Sequence, residues 1–317
     1  MYKIGIDLGG TNIAVGVVDE KYNIVGRGKV KTNSPRPAEE IVADMIVAAE
    51  MAMKDAGITV SDVDEIGIGS PGAINSKDGI VVHAYNLRFF DVPLAAMIKE
   101  KMGIPCFLGN DANAAAYGEY LAGSGKEAEN FVMITLGTGV GGGVILDNKM
   151  LVGCNYAGAE LGHISIRAGG EQCTCGRHGC WEAYASATAL IRQAKQAMKA
   201  EEGSKLWLMC EGDLNKVDGK IIFDAMHAGD PTAKAVVTRY INYIAEGITD
   251  LVNIFQPDIL SIGGGICAQG EVLTRPIQEF LDKNDFAHTF TKRTQLRIAT
   301  LGNDAGIIGA AYLGHLK

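Results

Sequence analysis

The sequence predicts a two-domain α/β protein built around a duplicated strand-turn-strand unit. Three observations carry that expectation. The chain has 317 residues, 47% apolar and 21% charged, enough for a sizeable core and longer than one compact domain usually runs. Strand-like and helix-like segments alternate, as in a layered α/β protein. Residues 4–19, IGIDLGGTNIAVGVVD, also align without gaps on residues 132–147, VMITLGTGVGGGVILD, with identities at Ile6/Ile134, Leu8/Leu136, Gly9/Gly137 and Asp19/Asp147. Each copy reads as apolar strand, Gly/Thr turn and apolar strand, a hairpin pattern.

The elements follow in order. After the first hairpin, Ile41, Met45, Ala48, Ala49 and Ala52 recur at helical spacing and predict a helix over 38–56. Residues 64–69 return to a strand before Pro71-Gly72. A short strand, Cys106-Phe107-Leu108, precedes an alanine-rich helix over 112–122, and 131–146 hold the second hairpin. Helical patterns cover 183–200 and 232–255, and the buried strand 259–262 meets Gly263-Gly264-Gly265. The small polar run Gly123-Ser124-Gly125-Lys126 marks a boundary near 118–130, and an apolar helix from about 305 returns to the first domain. The expected domains are a smaller one, 1–120 plus about 304–317, and a larger one, 121–303.

Composition narrows the function. Lys plus Arg is 29 and Asp plus Glu is 37, a net charge of −8, with no long basic run, so nucleic acid is not an expected partner. No segment has the ~18 consecutive apolar residues of a membrane span, and the N-terminus reads as a strand instead of a signal peptide. The expected location is the cytoplasm. Of seven cysteines, Cys173, Cys175 and Cys180 crowd together, which without an export signal favours a metal over disulfides.

Nucleotide phosphates need backbone N–H groups that can be approached closely, and glycine permits that approach. In Asp7-Leu8-Gly9-Gly10-Thr11-Asn12 the carboxylate can hold Mg²⁺ and Thr11 can donate a hydroxyl. Thr135, Gly137, Thr138 and Gly139 form a second such turn. A tight hairpin alone also accounts for glycine; the pairing of two such turns with Gly263–Gly265 favours a nucleotide. Gly125-Lys126 fails as a Walker motif because Tyr120 and Glu127 stand where Gly and Ser/Thr are required, and turns followed by strands are not dinucleotide fingerprints. The residues alone read Asp111 as a helix N-cap or a catalytic base, and Glu160 and Glu182 as surface charges or ligands. His163 with Cys173, Cys175 and Cys180, spaced H-x9-C-x-C-x4-C, gives a closed tetrahedral set typical of structural zinc, with His178 as a rival to His163.

The D-x-G-G-T-N start, the L-G-T-G-x-G-G-G loop and the C-x-C-G-x-x-G-C-W-E segment resemble the ROK family of sugar kinases and repressors over essentially the whole chain, most closely its bacterial glucokinases. The resemblance implies the actin-like (sugar kinase/Hsp70/ribonuclease H-like) two-domain ATPase fold, with an interdomain cleft and ATP between the two turns. It implies phosphorylation of a hexose, D-glucose first, with Asp111 as general base and Asn110 as a sugar contact. Glu160, His163 and Glu182 are implied as sugar ligands, as are Gly72 and Asn86 on the first-domain side, and Gly264 and Gly265 lie at the adenosine. His163 becomes the fourth zinc ligand, and a homodimer or homotetramer is implied. Fructose, mannose or an N-acetylhexosamine are alternative substrates. A sugar-sensing regulator is the alternative of another class, disfavoured because the first hairpin begins at residue 2 and leaves no room for a DNA-binding domain.

Overall fold

A computed structural model describes residues 1–316; Lys317, the last residue of the expected C-terminal return, lies outside the described residues. The chain divides into two compact units, one of Met1–Met133, Gly142–Ala159 and Ala299–Lys317, the other of Ile134–Gly141 and Glu160–Ile298. This division places 142–159 in the first unit, whereas the sequence suggested one continuous segment from 121 to 303. The reason is packing: Gly143 has no Cβ, and one built there would stand 2.5 Å from Ala116 Cβ, so that backbone lies directly on a helix of the first unit.

The chain opens with strands β1 (Tyr2–Leu8), β2 (Asn12–Val18) and β3 (Ile24–Lys31). Helix α1 (Ala38–Ala56) matches the expected span and buries Ile41, Val42, Met45, Ala48, Ala49, Ala52 and Met53. It stops at Gly57, whose φ of 69° is the left-handed cap that glycine adopts without steric penalty. After β4 (Val63–Ser70) come three short strands, β5 (Ala73–Asn75), β6 (Ile80–Ala84) and β7 (Phe89–Val92), which form a small sheet that the sequence did not reveal. Next are α2 (Leu94–Met102), β8 (Cys106–Asn110), α3 (Asp111–Ala122), β9 (Phe131–Leu136), β10 (Val140–Leu146) and β11 (Lys149–Met150).

The helix expected over 183–200 is two, α4 (Glu182–Ala185) and α5 (Ala187–Ala200). Ser186 breaks it, since its hydroxyl accepts from Ala189 N at 3.1 Å and so caps a new helix in place of continuing the old one. Then follow α6 (Lys205–Met209), α7 (Gly219–His227), α8 (Pro231–Phe255), β12 (Ile259–Gly263), α9 (Glu271–Asn284), β13 (Gln295–Ile298) and α10 (Asp304–Ala311). Among the described residues no helix is long and apolar enough to cross a membrane.

The duplication seen in the sequence extends to the sheets. One has the order β3-β2-β1-β4-β8 and the other β11-β10-β9-β12-β13, the same permutation with the repeated hairpin at the same place. In the first, β1 pairs antiparallel with β2 and parallel with β4, and β4 pairs parallel with β8. That arrangement sends β1, β4 and β8 out of the sheet at one edge, where parallel strands characteristically present their ligands.

Helix α10 holds this edge in place through small residues. A Cβ on Gly5 of β1 would lie 1.9 Å from Ile307 O, and one on Gly67 of β4 1.7 Å from Ala310 O, so the helix backbone rests directly on the strands. Against α3 the clasp is mutual: a Cβ on Gly118 would lie 2.1 Å from Ala305 O, and one on Gly309 1.7 Å from Ala114 O. Gly309→Ala gains about 1 kcal/mol of helix propensity, but the added methyl meets backbone that cannot rotate away, and overpacking costs about 3 kcal/mol. A net loss of about 2 kcal/mol is expected in urea unfolding; a variant as stable as the parent would show slack between these helices.

Candidate functional site

In the sheet register Asp7 of β1 lies beside Gly69 of β4, and Gly69 beside Gly109 of β8. β8 runs directly into α3, whose first residue is Asp111. Glycine at both intervening positions leaves no side chain standing between the carboxylates. Burial pushes the Asp7 carboxyl up to about 6, and the charge of Asp111 adds to the rise. Burial raises Asp111 as well, outweighing the Ala112 N–H that donates to its Oδ1 at 2.9 Å. Gly306, in the first turn of α10, comes so near that a Cβ there would stand 3.3 Å from Asp7 Cγ. Two acidic groups raised by desolvation and set close together suit a divalent cation, which relieves both penalties.

Asn110, and not Asp111, caps α3. Its Oδ1 accepts from Ala112 N at 2.9 Å and Asn113 N at 3.2 Å, while its Nδ2 donates to Gly72 O at 3.2 Å. That leaves Asp111 in the first turn without the capping duty that its sequence position suggested. Gly72 has φ of 98°, and a Cβ there would strike His83 O at 2.1 Å, so only glycine fits. Asn86 Nδ2 lies 3.3 Å from where a Cβ of Gly10 would stand, which brings the Gly72–Asn86 segment to the first turn.

That turn is braced from behind by Thr32, a fully buried residue whose Oγ1 donates to Gly9 O at 2.6 Å and whose N–H donates to Thr11 O at 3.0 Å. With the Gly9 carbonyl held, trans peptide geometry turns the Gly10 N–H the opposite way. The second turn repeats the device: Ala187 N donates to Gly137 O at 2.8 Å and Thr188 Oγ1 to Thr138 O at 2.8 Å, directing the Thr138 and Gly139 N–H groups outward. Outward N–H groups on a glycine turn are what a phosphate cradle requires. Gly264, with φ of 102°, passes so close to the end of β9 that a Cβ would lie 2.2 Å from Leu136 O, and Gly265 opens the short turn that follows. Thr135 is half-buried at the penultimate position of β9, while Thr11, Gly137 and Thr138 are exposed.

His163, Cys173, Cys175 and Cys180 bring their ligand atoms within 4.8 Å of one another. Cys175 Sγ and Cys180 Sγ are 3.6 Å apart, and Cys173 Sγ is 3.6 Å from His163 Nδ1. A tetrahedron with Zn–S bonds of about 2.3 Å has edges of about 3.8 Å, which the two 3.6 Å pairs match, so the donor set suits zinc once any wider pair within the 4.8 Å spread closes in. The ring nitrogen among the thiols is Nδ1, which leaves Nε2 for another partner. His178 instead pairs with Gln172 across the loop and is outside the cluster. Burial and the neighbouring thiols push Cys180 up to about 12, a penalty that a divalent cation removes by binding the thiolate.

Glu182 sits between this loop and the second turn. Its Oε2 accepts from Val140 N at 3.0 Å, and its Oε1 from Thr174 Oγ1 at 3.0 Å. Gly162 presses on the same Val140, since a Cβ there would lie 2.1 Å from Val140 O. Glu160 is exposed, and its carbonyl accepts from His163 N at 3.0 Å. Asp7, Gly9, Gly10, Thr11, Asn12, Gly72, Asn86, Asn110 and Asp111 thus gather in the first unit, and the remaining candidates in the second. Sequence reasoning missed Thr32, Thr174 and Gly306. The first two have no local motif, whereas Gly306 could be suspected from the glycines of an otherwise apolar helix.

The sequence matches the ROK family over residues 3–317. It is 38% identical to a glucokinase of Streptomyces coelicolor over 98% of this chain and 96% of that protein. Among solved structures, a ROK family glucokinase from Streptomyces griseus in complex with glucose and AMPPNP superimposes with a TM-score of 0.81 at 37% identity, covering 99% of both chains. The ROK hexokinase of Thermus thermophilus gives 0.83 at 33%, covering 99% of this chain and 97% of its own. These neighbours place the fold among the actin-like ATPases.

Two expectations follow from the geometry. Because the folded Asp7 has its carboxyl raised to about 6 from an unfolded 3.8, it contributes stability only at low pH, and loses it as pH rises from about 4 through about 6. Asp7→Asn is therefore expected to be more stable than the parent at pH 7.5 without divalent ions, by up to about 3 kcal/mol, and no more stable at pH 3; urea unfolding across that range checks the sign. Cys175→Ser removes one of four candidate metal donors, and by elemental analysis the purified variant is expected to hold much less zinc than the parent. Unchanged zinc content would refute the ligand set.

Proposed function

The chain belongs to the ROK family, and from that membership we propose that it is a hexose kinase that transfers the γ-phosphoryl group of ATP to D-glucose, giving glucose 6-phosphate and ADP. The observation that carries the reading is the pair of desolvated carboxylates, Asp7 and Asp111, at the sheet edge. A general base works best when its pKa lies near the operating pH, and burial moves Asp111 in that direction. Asp111 takes the proton of the attacking sugar hydroxyl as its oxygen bonds to the γ-phosphorus and ADP leaves. Asn110, fixed by α3 and Gly72, places a side-chain amide next to that base.

Asp7 would hold Mg²⁺, which supplies charge neutralisation on the phosphate oxygens when bound. Gly9–Asn12 and Thr135–Gly139 receive the phosphates, and Gly264 and Gly265 the adenosine. Gly72, Asn86, Glu160, His163 Nε2 and Glu182 are assigned to sugar hydroxyls, for which carboxylates and imidazole are strong partners. His163 Nδ1, Cys173, Cys175 and Cys180 would hold a structural zinc; four protein donors leave no place for an activated water, so the metal would order this loop without entering the chemistry. The similarity to glucokinases of 38% and 37% identity over nearly complete chains supports glucose ahead of other hexoses. A cytoplasmic homodimer or homotetramer completes the proposal.

A coupled assay over a panel of hexoses tests the substrate. The highest kcat/KM is expected with glucose; a higher value with N-acetylmannosamine would overturn the choice of sugar while leaving the kinase. Asp111→Ala should lower kcat by about a thousandfold or more with glucose affinity kept within about tenfold, since a base acts mainly in the transition state. Retained kcat would remove Asp111 from the role.

A further inference from the structure

We propose that Thr174 is a positioning residue, whose hydroxyl holds Glu182 so that the metal loop fixes the Gly139–Val140 turn for nucleotide phosphates. The inference rests on the reading of that turn as a phosphate cradle. Thr174 lies between Cys173 and Cys175, two of the four metal donors. Its Oγ1 donates to Glu182 Oε1 at 3.0 Å, and Glu182 Oε2 in turn accepts from Val140 N at 3.0 Å. Two hydrogen bonds to one carboxylate therefore join the loop to the turn. Nothing cushions the second of them, because a Cβ on Gly139 would lie 2.4 Å from Glu182 Oε2. A displaced carboxylate must move the turn.

The thiol chemistry makes Thr174 the decisive partner. Cys173 Sγ also approaches Glu182 Oε1, at 3.6 Å, and as a thiol it can donate. A cysteine that ligates a metal is a thiolate and has no proton to give, so it becomes a second anion beside the carboxylate. The Thr174 hydroxyl is then the donor that keeps Oε1 in place. Thr174 is exposed, so replacing its hydroxyl by a methyl group changes polarity at constant shape and disturbs little packing. Hydrogen bonds to charged acceptors are among the stronger ones, and their loss is visible in affinity.

The experiment measures binding of AMPPNP with Mg²⁺ by calorimetry to the full zinc-loaded chain, without sugar, for the parent, Thr174→Val and Thr174→Ser. Metal content is determined on the same samples. Thr174→Val is expected to keep its zinc and to bind the nucleotide about three- to tenfold more weakly, with faster hydrogen exchange at the Val140 amide. Thr174→Ser should restore affinity to within about twofold, because it keeps the donor. Parent-like affinity in zinc-loaded Thr174→Val overturns the role of Thr174 while the nucleotide site stands. A weakening that follows zinc loss in both variants overturns it too, since loop collapse would then be the cause. A parent chain that binds no nucleotide removes the underlying reading of the turn.

Discussion

The placement of the two acidic groups depends on the direct seating of the α10 backbone on β1, β4 and α3. Gly5 and Gly67 allow the helix to lie on the strands, while Gly118 and Gly309 lock it to α3. α3 begins at Asp111, and the first turn of α10 touches Asp7 through Gly306. The relative position of the carboxylates is therefore set by backbone contacts with almost no side-chain freedom in them. A helix of larger residues would stand farther from both the sheet and α3, because side-chain size sets such spacings, about 8–10 Å between the axes of packed helices. Small residues exchange apolar burial for precision, and the first unit recovers the burial in a core of Ile4, Ile6, Ile41, Met45, Ile66 and Ile68 on other faces.

What the sequence made legible was mostly periodic or repeated. The helix over 38–56, the two hairpins and the C-terminal return from about 305 each had a pattern that local physics enforces, and each is present as α1, β1–β2, β9–β10 and α10. The repeated hairpin also anticipated a repeated sheet order, a property far beyond its four identities. The strands between 73 and 92 escaped because three or four residues are too short to show alternation. Ser186 escaped because a serine in a helical pattern becomes a cap only when tertiary contacts, here Ala187 N to Gly137 O, reward the break. Chemistry showed the same division. Spacing indicated a metal set and the family resemblance selected His163 over His178, yet the choice between ring nitrogens required coordinates.

Asp111 shows why residue type alone was insufficient. An acidic residue at a strand-to-helix junction serves equally well as cap or base, and the two roles differ only in where the donors are. Asn110 takes the backbone donors of the first turn and also reaches Gly72, so the cap is already supplied. Asp111 is left with one main-chain bond and a buried setting that disfavours its charge. On the proposed reading, a cation beside Asp7 and a substrate hydroxyl sharing its proton with Asp111 would reduce the cost of that setting. Stability and reactivity are opposed in this corner, as is usual where charges are withheld from water.

The geometry of Glu182 extends the same logic to the second unit. An ionised carboxylate has about four acceptor sites. Val140 N occupies one on Oε2 and Thr174 Oγ1 one on Oε1, which Cys173 Sγ also approaches at 3.6 Å; with that thiol given up to a metal, one site on each oxygen would remain for a ligand. A sugar that donated to both would complete the shell without displacing either protein donor. On the proposed reading the carboxylate would serve as sugar ligand and brace at the same time, since a fully hydrogen-bonded carboxylate is more firmly oriented than a half-satisfied one. Any coupling between a sugar and a nucleotide through this bridge would be the same in both directions. The bridge needs no large motion, only that one carboxylate be held by both partners.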